Sequence, residues 1–289
     1  FKNEQGAAYA ALANARLTGR PQVVMVTSGP GVTNTISPIA DAFYDSTPLV
    51  IITGQIGSKD LISRSSVRQR GFQEVPTVQI TAPISKKASC LINTEKALEE
   101  IPLAFEVAQE GRKGPVILDF PMDIQRSTFD KKSYIPSKKE TINIIKENKN
   151  EIKEIFDIGI NSKRPVILLG QGALNAGISE DIHRIKNIFD SIVVTSFLGI
   201  SSFDTDDRDY AGYIGHTGHL AANTAVHEAD FLLVLGSRLD VRQTGTLVKE
   251  FVQNGRVVWV NNDLNELDNP RVKVDWKINL DVKDFCILL

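Results

Sequence analysis

The chain has 289 residues, 42% of them hydrophobic, with 33 Lys and Arg against 35 Asp and Glu and a formal net charge of −2. That length is a prior for about two domains, and the apolar content is enough to build their cores. The near-balance of charge implies no broad basic face, so neither nucleic acid nor an anionic membrane is an expected partner.

No apolar run approaches the roughly 18 residues a membrane helix needs, and no secretory signal pattern opens the chain. Two cysteines far apart, Cys90 and Cys286, do not form a disulfide framework. A cytosolic compartment is therefore the default. The chain opens at Phe1 and enters a helical pattern, Glu4–Leu17, within three residues. A domain seldom starts so abruptly, so residues upstream are expected.

Gln22–Thr27, Leu49–Thr53 and Pro115–Phe120 read as buried strands, rich in Val and Ile and bounded by Gly, Pro or Ser. Helical patterns at Thr33–Tyr44 and Glu95–Gln109 lie between them. Such alternation predicts a parallel sheet with helices on both faces. Asp130–Asn150 is rich in Lys, Asn and Ser and poor in large apolar residues, and reads as a linker running into a helix near Ile152.

Pro165–Leu169, Ile192–Thr195, Phe231–Leu235 and Val257–Val260 then restart the strand pattern. The expected fold class is α/β, with two doubly wound, mainly parallel-sheet domains at 1–129 and 151–289 joined by the linker 130–150. No repeat at a solenoid period is present.

Three motifs bear chemistry. Glu4 begins a helix and is followed by the small residues Gly6, Ala7 and Ala8. An acid there is favoured by the helix dipole alone, while the small residues equally permit the approach of a flat group or another helix. Ser28-Gly29-Pro30-Gly31-Val32-Thr33-Asn34 follows a strand and opens a helix, which places backbone donors at the carboxyl end of that strand. It lacks the Gly-Lys-Ser/Thr of a Walker A loop. Gly170-Gln171-Gly172 lacks the third glycine of the dinucleotide fingerprint, which argues against an ordinary dinucleotide oxidoreductase. His216 and His219 have no acid or Cys at ligand spacing, so no metal site is assigned. Cys90 reads as inert.

Order and spacing carry more weight than any one motif. Glu4–Ala8, Ser28–Asn34, Pro48–Gln55, Phe72-Gln73-Glu74, Gly111–Val116 and Phe120–Asp123 come in succession. Over Asn3–Ile124 this series resembles the pyrimidine-binding domain of the acetolactate synthase family of thiamine-diphosphate enzymes. The second half is similar, more sparsely, to the family's central domain: Gly236–Gly245, His216-Thr217-Gly218 with Asn223, and Asn261-Asn262-Asp263.

The resemblance implies a cofactor, thiamine diphosphate, and a role for each matched residue. Glu4 would bond the pyrimidine ring nitrogen and help the cofactor deprotonate itself, best in a dry pocket that raises the acid's pKa. Pro30 and Asn34 would border the pyrimidine. Gln55, Phe72 and Gln73 match positions near the reaction centre; for Phe72, core packing is the other reading. Arg112, Gly218, Arg238, Asp240, Arg242 and Asp263 match the flavin-binding segments of members that hold FAD in a structural role. Arg238 and Arg242 could equally form surface ion pairs with Asp240 or another acid.

The implied reaction decarboxylates a 2-keto acid such as pyruvate and passes two carbons to a second carbonyl. The implied assembly is a homo-oligomer, dimer or tetramer. Mg2+ and the diphosphate would be held by a third domain, whose Gly-Asp-Gly…Asn motif does not occur in these 289 residues. On that reading the chain alone is inactive, and a non-catalytic binding remnant is the other class of function. Met122 stands where acetolactate synthases carry a Lys, and Ser58–Gly71 is longer than in them. Arg68–Glu74 is similar to a branch associated with surface polysaccharides, whose members include enzymes that transfer an acyl unit to a keto-sugar.

Overall fold

Residues 1–62, 67–128 and 149–289 are described in the computed structural model. Two units divide the chain, Phe1–Lys139 and Glu140–Leu289. Of the segment read as a linker, only Lys149 and Asn150 fall among the described residues, and they open a helix.

The first unit runs α1 (Glu4–Thr18), β1 (Gln22–Val26), α2 (Pro30–Asn34), α3 (Ile36–Tyr44), β2 (Leu49–Gln55), α4 (Ser58–Ile62), α5 (Thr77–Thr81), β3 (Lys87–Cys90), α6 (Thr94–Gln109), β4 (Pro115–Pro121) and α7 (Met122–Gln125). Its sheet has the order β1-β2-β4-β3, and every pair is parallel. The start of α1 is set by Asn3, whose Oδ1 accepts the Gln5 N–H at 2.8 Å. Its end is set by Gly19 at φ 67, a left-handed cap. Ala8, Leu12 and Ala15, spaced at helical intervals, are its buried face against β1 and β2. The helix expected over Thr33–Tyr44 is two: α2 starts at Pro30, a residue suited to the first helical turn, and the chain re-aims at Thr35 before α3.

The second unit runs α8 (Lys149–Asn161), β5 (Pro165–Leu169), α9 (Gln171–Ala176), α10 (Ser179–Phe189), β6 (Ile192–Thr195), β7 (Tyr210–Tyr213), α11 (Leu220–Glu228), β8 (Phe231–Leu235), α12 (Val241–Thr244), β9 (Arg256–Asn261), α13 (Leu264–Asp268), β10 (Trp276–Asn279) and α14 (Val282–Leu288). The strand order is β10-β9-β8-β5-β6-β7, again all parallel. Residues of β5 and β8 alternate between two cores. Ile167, Leu169, Leu233 and Leu235 join one; Val166, Leu168, Leu232 and Val234 join the other. Both faces of these strands are covered, which is why they read as unbroken apolar runs. The chain winds outward from β5 to β7, then restarts at β8 on the other side, so the switch point lies between β5 and β8. The α/β doubly wound class expected from the sequence is the class observed.

Candidate cofactor site

In a parallel sheet, ligand loops gather at the carboxyl ends of the strands. Helix α1 leads into the amino end of β1, so its own first residue lies at the opposite, carboxyl edge. Glu4 is that residue. Asn34 Nδ2, at the end of α2, donates to Glu4 Oε2 at 2.9 Å. Among the described residues no other side chain bonds this carboxylate. The expectation that its pKa is raised is corrected here: the Asn34 hydrogen bond, with a backbone hydrogen bond second, holds it below the ordinary value. The reason is that Glu4 is only half-buried, so desolvation is the weaker effect.

The Gly29-Pro30-Gly31 turn links β1 to α2. Gly29 sits at φ 64, and a Cβ there would lie 2.7 Å from both the Cβ and the carbonyl oxygen of Gln73. Only glycine permits that approach. The structure thus brings Glu4, Asn34, Pro30 and Gln73 to one edge. Gln73 itself has φ 58, a left-handed backbone uncommon outside glycine. Phe72 is 86% exposed, so it is not part of the core.

Gln55 ends β2 and is buried. Its Nε2 donates to Asp119 Oδ2 at 2.9 Å and to the Val75 carbonyl at 3.0 Å, while its Oε1 accepts the Ile56 N–H at 2.9 Å. Both polar atoms of the amide are therefore already engaged. Thr53 Oγ1 donates to the other Asp119 oxygen at 2.7 Å. Burial pushes the Asp119 carboxyl above the usual carboxylate range, and the Thr53 and Gln55 hydrogen bonds oppose it. Beyond β4, Met122 is 46% exposed at this edge. Asp123 accepts from the Ser58 N–H at 2.9 Å and the Ser58 hydroxyl at 2.5 Å, bonds that lower its pKa.

Arg112 lies elsewhere. It precedes β4, at the amino edge, where its Nε donates to Ser46 Oγ at 3.0 Å. Within the first unit it is at the opposite end of the sheet from Glu4.

In the second unit, glycines mark the switch point. A Cβ on Gly170 would lie 2.2 Å from the Gly236 carbonyl oxygen, and one on Gly172 would lie 2.7 Å from the Gly236 Cα. The loops after β5 and β8 therefore touch backbone to backbone. Arg238 follows β8 and pairs with Glu266 at 3.0 Å, so the acid it meets is not Asp240. Asp240 instead caps α12 by accepting the Arg242 N–H at 2.8 Å. The Arg242 guanidinium is exposed and has no hydrogen-bond or ion-pair partner among the described residues. Asp263 caps α13 through the Asn265 N–H at 3.0 Å. Gly218 packs against the Tyr213 carbonyl, and Asn223 bonds both the N–H and the carbonyl of Gly215. His219 Nδ1 accepts the Tyr213 N–H at 3.1 Å. Arg238, Asp240, Arg242 and Asp263 all follow β8 or β9, at one edge of this sheet.

Sequence reasoning assigned no role to Asp119 or Glu74. A lone carboxylate inside the apolar run Pro115–Phe120 was the available signal for the first. For Glu74 there was none beyond its place after Phe72-Gln73.

Comparison with known proteins bears on this geometry. Residues 1–80 match the thiamine pyrophosphate enzyme N-terminal TPP binding domain, and residues 152–289 match the thiamine pyrophosphate enzyme central domain. This chain belongs to the thiamine pyrophosphate enzymes. Among its relatives in that family is acetolactate synthase 1, chloroplastic, of Zea mays, 34% identical over 297 residues, which cover 100% of this chain and 45% of the maize protein. The acetolactate synthase large subunit of Haemophilus influenzae is 34% identical over 272 residues, 91% of this chain and 45% of that protein. A probable acetolactate synthase 2, chloroplastic, of Oryza sativa is 36% identical over 277 residues, 92% of this chain and 39% of the rice protein. The chain thus spans a little under half the length of these relatives. Among its described residues no helix is long and apolar enough to cross a membrane.

The thiamine pyrophosphate enzyme site fits its cofactor's pyrimidine. The Glu4 carboxylate has one oxygen fixed by Asn34 and is open on its solvent side. The glycine turn at the same edge lets Gln73 close directly on Gly29. In the central unit the exposed Arg242 guanidinium has no partner among the described residues, and the glycines of the switch point pack backbone to backbone against one another.

Proposed function

We propose that this chain supplies the pyrimidine-binding domain, residues 1–129, and the central domain, residues 151–289, of a carboligase. The reaction decarboxylates a 2-keto acid, pyruvate, and transfers its two-carbon unit to a second carbonyl. The observation that carries the proposal is the Glu4–Asn34 hydrogen bond beside the Gly29-Pro30 turn. Thiamine diphosphate, when bound, supplies the carbon nucleophile.

The chain's own residues supply placement and a proton. Glu4 holds the proton it shares with the pyrimidine ring nitrogen. Covering its half-open carboxylate with a flat ring removes water and raises its pKa, which makes that sharing favourable. Asn34 fixes the second oxygen and hence the plane of the carboxylate. Pro30 borders the ring, and Phe72 and Gln73 form the wall on the substrate side. Gln55, with its amide engaged, acts on that wall through Val75.

FAD belongs to the proposal through Arg112, Gly218, Arg238, Asp240, Arg242 and Asp263. So do Mg2+ outside the residues named here, a homo-oligomer, and a cytosolic location, with which the two free cysteines agree. A second reading takes a keto-sugar as the acceptor. Met122, apolar and 46% exposed at the active edge, favours a bulkier and less anionic acceptor than a keto acid.

Product analysis of the complete subunit with pyruvate, thiamine diphosphate and Mg2+ decides between them. Acetolactate at ordinary rates from pyruvate alone supports the first reading and counts against the second. Failure of Glu4→Gln to lower carbon–carbon bond formation would sink both.

A further inference from the structure

Residues 70–75 stand at the site, and three of their contacts with described residues hold them there. Gly71 presses on the end of β2: a Cβ there would lie 2.1 Å from Ile56 Cγ2. The Val75 carbonyl accepts from Gln55 Nε2, which is itself held by Asp119. The third contact is made by Glu74, 8% exposed. Its Oε2 accepts the Arg70 N–H at 2.7 Å and the Gly71 N–H at 3.1 Å.

A carboxylate that bonds the amides three and four residues back curls the backbone into a tight turn. Opening the turn would strip a buried charge of two donors, which is costly. The curl keeps Gln73 in the left-handed region at φ 58, with its backbone against Gly29. It also leaves Phe72 at the crest, 86% exposed. A bare aromatic on a braced turn beside a cofactor loop is an apolar surface for a ligand rather than a piece of core.

We propose that Glu74 is a positioning residue that braces the Arg70–Gln73 turn, so that Phe72 and Gln73 stand as a preset wall for the substrate beside Gly29-Pro30. The role given to the wall rests on the cofactor reading above; the brace does not. Glu74 touches no substrate. It spares the enzyme the cost of ordering the turn when substrate binds.

The test uses the complete subunit carrying Glu74→Ala, Glu74→Asp or Glu74→Gln. One readout needs no activity: the rate of tryptic cleavage at the Arg70–Gly71 bond, followed by mass spectrometry without cofactor. The Ala and Asp variants lose both charge-assisted bonds and should be cut about tenfold faster or more. The Gln variant should be cut more slowly than the Ala and Asp variants, because both bonds to the turn end on one oxygen that an amide carbonyl also offers. In the same Ala and Asp variants the KM for the keto acid should rise several-fold more than kcat falls. Thiamine diphosphate affinity, read from quenching of intrinsic fluorescence, should not move. If the Ala variant fails to fold, the Asp and Gln variants decide the matter.

Cleavage at the unaltered rate in the Asp variant overturns the brace. Faster cleavage with an unchanged KM overturns its role in positioning. If the unaltered protein binds no thiamine diphosphate, the cofactor reading fails and takes the wall with it, while the cleavage rates still report on the brace.

Discussion

Asn34 Nδ2 donates to Glu4 Oε2 at 2.9 Å across 30 residues of sequence, joining the first residue of α1 to the last of α2. This bond is the main reason that the Glu4 carboxyl sits below its ordinary value of 4.5. Asn34→Ala should let it climb back toward that value, so that Glu4 is charged over a narrower range at the acid end. NMR titration of the Glu4 carboxyl checks this, and an unmoved midpoint would count against the assigned cause.

Lys186 is nearly buried between Asp207, at 3.0 Å, and Asp209, at 2.8 Å, with His183 at 3.7 Å from Asp207. Lys186→Met removes the nearest cation from two neighbouring carboxylates, leaving Asp209 with Arg208 at 3.6 Å, and should cost about 1–3 kcal/mol, measured by urea unfolding.

The same cluster sets a pH window. Asp207 is lowered first by the Asp209 N–H and then by Lys186, and Asp209 first by Lys186. Their contribution is full above the ordinary value of 3.8 and is lost as pH falls through the lowered folded values. Lys186 is raised, chiefly by Asp209, so its contribution is full below 10.5 and is lost as pH rises through the higher folded value. Lys186→Met should flatten the alkaline limb of a stability–pH profile and make the acid limb shallower, since the Asp209 N–H still lowers Asp207. Persistence of the alkaline limb would show that another group causes it.

Gly236 has φ 62, and a Cβ there would lie 2.6 Å from the Gly172 Cα. Gly236→Ala combines left-handed strain with a backbone collision and should destabilise the second unit by roughly 2–4 kcal/mol. On the proposal that the central domain holds FAD, it should also reduce flavin retained by the complete protein, read as visible absorbance after purification. Arg242→Ala is the contrasting case. It should reduce flavin content while leaving the unfolding midpoint within experimental error, because the exposed guanidinium has no partner among the described residues to lose.

Burial pushes the thiols of Cys90 and Cys286 up to about 12, and the nearby Asp119 adds to the effect at Cys90. Since alkylation requires the thiolate, both should resist iodoacetamide in the native protein and react promptly in denaturant. Rapid native labelling of Cys90, read by mass spectrometry, would contradict the inert assignment.

Sequence alone fixed the elements whose physics is local or fully buried. The runs Pro165–Leu169 and Phe231–Leu235 became β5 and β8 at the expected residues, because strands covered on both faces must be apolar throughout. The start of α1 was legible near Glu4, and the Gly-Pro turn at 29–31 was legible as a strand-to-helix joint. The strands β3, β7 and β10 were not foreseen. Each lies at a sheet edge, is four residues long and is only partly buried, so its sequence carries no continuous apolar signal.

What only the tertiary structure decided is which polar atoms meet. The engagement of the Gln55 amide by Asp119 and Val75, the pairing of Arg238 with Glu266, and the lowered rather than raised pKa of Glu4 all depend on groups brought together from distant positions. Spacing along a chain can nominate a side chain for chemistry. Its charge state and freedom to act follow from burial and from the donors that folding places against it.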